Sequence, residues 1–61
     1  MDELKQVADA VYNGLCLAAE NGTTDLWYAG KVHEPVPNDP ASLAINVELE
    51  DGRTALIVVM L

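Results

Sequence analysis

One cysteine, one histidine, no phenylalanine and only three basic residues occur in this chain of 61. Each shortage excludes something. A lone cysteine, Cys16, cannot form an internal disulfide, and a lone histidine, His33, makes a zinc cluster of ordinary composition unattainable. Few lysines and arginines among many acids give a net charge of −7, which repels phosphate and anionic lipid. Direct binding to nucleic acid or to a membrane surface is therefore not expected. No apolar run exceeds the seven residues Ala55 to Leu61, far short of the roughly 20 that span a bilayer. The first residues, Met1-Asp2-Glu3, are acidic and lead into no apolar signal region, so a reducing, cytoplasmic setting is expected.

What is present is apolar surface. The chain is 51% hydrophobic, enough to drive collapse. A domain this small buries only about 60% of the surface its unfolded form exposes. With disulfides and zinc excluded, self-association is the remaining way to supplement so small a core. The expectation is one small α+β domain over residues 1–61.

Asp2 to Glu20 reads as an amphipathic helix. Leu4, Val7, Ala8, Val11, Leu15 and Ala18 recur at three- and four-residue spacing. Asp2 can cap its first turn, and Asn21-Gly22 can end it, since glycine tolerates the left-handed cap geometry. Cys16 falls on the apolar side and reads as an inert core thiol. Thr23 to His33 reads as a strand, carrying Leu26, Trp27, Tyr28 and Val32. Adjacent strand residues face opposite ways, so one of Trp27 and Tyr28 belongs to the core and the other to a surface that can anchor a partner. The stretch from His33 to Pro40 holds three prolines and reads as a stiff extended loop.

Leu43 to Glu50 alternates apolar and polar residues, the mark of a half-buried strand. Asp51-Gly52 fits a two-residue type I′ turn, and Arg53 to Met60 returns as the next strand. That turn pairs Leu49 with Thr54, Val47 with Leu56, Ile45 with Val58 and Leu43 with Met60. Paired residues share a face. This register puts Leu56, Val58 and Met60 in the core and leaves Ala55, Ile57, Val59 and Leu61 as surplus apolar surface, an expected oligomer interface. The expected architecture is one N-terminal helix on a three-stranded antiparallel sheet (α-β-β-β), dimerising through the sheet.

Few groups suggest catalysis. Asn21-Gly22-Thr23-Thr24 lacks the lysine and further glycines of a phosphate loop. Cys16 with His33 could pair as nucleophile and base only if the fold joins them. His33, Glu34 and Asp39 could bracket a cation only weakly. No enzyme, cofactor or metal is expected. The carboxylates are the stronger signal. Glu48, Glu50 and Asp51 gather at the hairpin end, with Glu34 and Asp39 on the proline loop. On one strand face, Glu48 and Glu50 would stand about 7 Å apart, near the phosphate spacing of a nucleic-acid strand. These residues, with Trp27 or Tyr28 as an apolar anchor, read as a protein-binding surface for a basic partner. The expected function is a small acidic inhibitor or regulator that imitates nucleic acid. The competing reading is a self-assembling structural subunit.

Overall fold

A computed structural model describes residues 2–61. Helix α1 runs Glu3–Glu20, and the Asp2 side chain accepts from the Lys5 amide at 3.3 Å to cap it. At the other end Gly22 takes φ +73°, the Gly22 amide donates to Ala19 O at 3.3 Å, and the Thr23 amide donates to Ala18 O at 2.8 Å. These two bonds form a Schellman motif, and the left-handed residue it requires is why glycine follows Asn21.

Three strands follow: β1 Val36–Asp39, β2 Ser42–Glu48 and β3 Thr54–Met60, antiparallel in the order β1-β2-β3. The architecture is thus α-β-β-β, as the pattern predicted. The first strand lies elsewhere than expected. Thr23 to His33 is not a strand. It is irregular, with a 3-10 turn at Ala29–Lys31 and one isolated bridge, Val32 to Val47. The proline segment supplies β1 instead. Proline is tolerated there because β1 is an edge. Val36 stands opposite Ala44, so the nitrogen of Pro37, the next residue, turns outward, where no hydrogen bond is required. The register shifts between Pro37 and Asp39, a bulge that leads into the turn at Pro40-Ala41.

The hairpin of β2 and β3 is one residue out of the expected register. The pairs are Leu43 with Val59, Ile45 with Ile57 and Val47 with Ala55. The cause is the turn. Gly52 has φ +91°, but among the described residues none other than glycine has positive φ, so Asp51 cannot occupy a type I′ turn. The loop instead takes three residues, Glu50 to Gly52. The Gly52 amide donates to Leu49 O at 3.0 Å, and the Leu49 amide donates to Arg53 O at 2.8 Å. This is the three-residue hairpin with a left-handed glycine at its last position.

A one-residue slip turns every β3 side chain over. Ala55, Ile57 and Val59 face α1 and join the core of Ala8, Val32, Ile45 and Val47. Leu56, Val58 and Met60, expected inside, lie outside. Within α1 the side facing the sheet includes Leu4, Ala8, Val11, Tyr12 and Leu15, while Val7, at the edge of the expected stripe, is exposed.

Candidate functional site

The hairpin end gathers part of the expected site. Glu48 closes β2. The His33 amide donates to Asn46 O at 2.9 Å, which places the imidazole beside Glu48. His33 Nε2 lies 2.6 Å from Glu48 Oε2. Against a carboxylate acceptor that nitrogen carries the proton. This bond first, and the charge of Lys31 second, hold the Glu48 carboxyl below its ordinary range. The Glu50 amide donates to Leu26 O at 2.8 Å, tying the irregular segment to the turn. Tyr28, Lys31, Glu48, Leu49, Glu50 and Gly52 thereby line a shallow hollow of about 290 Å³.

The two aromatics divide as a core and a surface residue, though not through strand alternation. Trp27 is half-buried, and its Nε1–H donates to Leu15 O at 3.0 Å, so it fastens the segment to α1. Tyr28 is 66% exposed and forms a wall of the hollow.

Other members of the expected set stand apart. Glu50 lies in the turn rather than on β2, so the even spacing of Glu48 and Glu50 along one strand face is lost. Asp51 is matched locally: Arg53 Nε donates to its Oδ2 at 2.6 Å and the Arg53 amide to its Oδ1 at 3.0 Å. Asp39 accepts from the Ala41 amide at 2.7 Å in the turn at the far end of β2. Six residues of strand separate that turn from Glu48, about 20 Å. Glu34 borders a different hollow of about 350 Å³ with Lys5, Asp9 and Tyr12. There the Tyr12 phenol is pushed up, chiefly by Cys16 and more weakly by Glu34. The Cys16 thiol points to Ala29 O, at 3.9 Å, whereas His33 engages Glu48. Among the described residues no three His, Cys, Asp or Glu side chains gather as metal ligands, and no helix is long and apolar enough to cross a membrane.

The feature the sequence reading misplaced is the outer sheet face. Helix α1 covers one side only. On the other, Val36, Ala44 and Val58 form one row across the three strands. Leu56 and Met60 flank it, 58% and 63% exposed, and Val58 is 43% exposed. Glu48 and His33 border this apolar area at the hairpin end. The signal that could have revealed it was Glu50-Asp51-Gly52 read as a three-residue loop.

No family model matches the chain, and no curated protein or solved structure matches it significantly.

Proposed function

We propose that the chain is a non-enzymatic protein-binding module, a small acidic inhibitor or regulator that occupies a basic, nucleic-acid-handling surface of a partner. The observation that carries this reading is the open outer face, with Leu56, Val58 and Met60 exposed beside the carboxylate of Glu48 on a chain of net charge −7. Exposed apolar patches rimmed by polar groups mark binding sites. Apolar contact supplies affinity, while the acidic surroundings select a basic partner and speed encounter. Glu50, which has no hydrogen-bonded side-chain partner among the described residues, and Tyr28 extend the same end of the molecule. Imitation of nucleic acid rests on this overall field rather than on a phosphate-like ladder, because Glu50 lies in the turn and Asp51 is matched by Arg53.

The test is capture from a cell extract on immobilised protein, followed by elution with a DNA or RNA oligonucleotide. A specific, basic nucleic-acid-handling protein released by the oligonucleotide supports the reading. A captured partner indifferent to the oligonucleotide and to salt overturns the nucleic-acid-site part. Undiminished capture by Leu56→Glu moves the docking surface off the outer face.

A further inference from the structure

The two edges of the sheet are built differently. β1 carries Pro37, is preceded by Pro35, is interrupted by a bulge and ends in Asp39. Each of these features discourages another strand from pairing there. β3 has none of them. Its seven residues, Thr54–Met60, contain no charge, proline or glycine, and their register with β2 is unbroken. The His33 amide bonds Asn46 O on the β1 side of β2, so alternation directs Ile45 and Val47 toward β3. Their partners Ile57 and Ala55 point back at β2. The backbone groups of Thr54, Leu56, Val58 and Met60 therefore point out from the sheet. Among the described residues no backbone group outside the sheet and no side chain bonds them. Helix α1 packs more against β2 than against β3.

We infer that β3 pairs antiparallel with the β3 of a second copy of this chain, joining two sheets into one of six strands about a two-fold axis at Ile57. The strand is self-complementary in that register. Thr54 meets Met60 of the other copy and Leu56 meets Val58, so all four outward-facing residues find partners, with about eight new backbone hydrogen bonds. The two Ile57 side chains meet on the helix side, and burial of this partly buried residue is completed. Charge favours the same occupant. Two chains of net charge −7 approach along an uncharged strand, and their Gly52 turns end about ten residues of strand apart, roughly 34 Å. That is several screening lengths at physiological salt, about 8 Å each. Because the β1 edge is protected, association stops at two copies rather than propagating.

The contact is small. A seven-residue strand is about 24 Å long. An interface of about 500 Å² on each copy would take roughly an eighth of the 4177 Å² surface and lies at the low end of specific interfaces. Micromolar association is expected. The pairing does not depend on a basic partner; it leaves the outer face open and brings Leu56, Val58 and Met60 of both copies side by side.

Hydrogen exchange of the wild-type protein tests this directly, with sedimentation at the same concentrations. Between about 5 µM and 500 µM the mass should pass from one chain to two. Over that range the amides of Leu56, Val58 and Met60 should gain about tenfold or more in protection, while those of Ile57 and Val59, already bonded to β2, should show no comparable gain. Val58→Pro removes one outward N–H at an edge position where proline is tolerated, and should stay folded as a monomer. Val58→Thr retains the N–H and should still dimerise. A mass of one chain at 500 µM overturns the inference and leaves the edge to a strand of another protein. A dimer whose Leu56 and Val58 amides remain unprotected also overturns it, since its contact lies elsewhere.

Discussion

Ile57 stands opposite Ile45 across β2 and β3, and both turn toward α1. The residue expected in that position, Val58, is displaced to the outer face by a single added turn residue. This pairing decides which β3 side chains stabilise the domain and which are available to a partner.

Charge placed on the two faces should therefore have opposite consequences. Ile57→Glu puts a carboxylate against fully buried Ile45 and should cost about 2–4 kcal/mol, most of what a domain this small possesses. Leu56→Glu, one residue earlier and 58% exposed, should change stability by about 0.5 kcal/mol or less. Urea unfolding followed by circular dichroism distinguishes them. Equal losses, or a greater loss at Leu56, would restore the two-residue turn and its face assignment.

Gly52 bears the turn. Its φ of +91° is a conformation that side-chain-bearing residues adopt only under strain, although among the described residues no atom beyond its chain neighbours lies within 4 Å of where a Cβ would stand. Gly52→Ala should thus cost about 1–2 kcal/mol through backbone strain alone. In a domain of this size that lowers Tm by roughly 4–16 °C. An unchanged Tm would show that the glycine conformation is not required.

Trp27 is the only tryptophan, and it links the irregular segment to Leu15 O. Trp27→Phe retains most of the apolar contact but loses the donor. The expected cost is about 0.5–1.5 kcal/mol. In the wild type, unfolding should shift the fluorescence of this half-buried ring to the red. Full stability in Trp27→Phe would mean that the bond contributes nothing.

The fold was legible where local chemistry and periodicity agreed. Asp2, Asn21 and Gly22 marked the ends of α1, and the alternation from Leu43 onward marked β2. Two choices were not fixed locally. Asp51-Gly52 suits either turn length, and residues 55 to 61 are apolar at every position, so alternation could not show which half faces α1. Likewise, Leu26, Trp27 and Tyr28 have strand propensity, yet the neighbour of β2 is the proline segment. Pairing with β2 and the bonds from Trp27 and Glu50 outweighed propensity. Of the candidate site, the clustering of Glu48 with Tyr28 and Glu50 was within reach; the partners His33 and Arg53 depend on tertiary placement and turn length.

His33 and Glu48 give the domain an acid-sensitive contact. The Glu48 carboxyl is held below its ordinary value in the folded state, first by the His33 bond. A depressed folded pKa contributes stability at pH values above the ordinary glutamate range, near 4.3, and that contribution is lost as pH falls through the folded value. Proton titration by NMR should find the Glu48 carboxyl below the ordinary glutamate range in the wild type and moved upward in His33→Ala. The stability difference between wild type and His33→Ala should narrow in acid. A Glu48 titration unaffected by His33→Ala would remove this contact from the solution structure.

Binding to a basic partner should depend on charge and on the apolar face in separable ways. Glu48→Lys with Glu50→Lys reverses the exposed charges at the hairpin end while leaving the core residues Val47 and Ile45 in place. Encounter between opposite charges is screened within about 10 Å at 0.1 M salt, so the wild-type association rate should fall about tenfold or more between 50 and 500 mM. The double variant should associate slowly at low salt and show little further salt dependence. Leu56→Glu should instead shorten the lifetime of the complex, because apolar contact resists dissociation more than it guides encounter. Surface plasmon resonance separates the two rates. If the charge-reversed variant binds with wild-type rates and salt dependence, the acidic end plays no part in recognition, and affinity would have to come from the outer face alone.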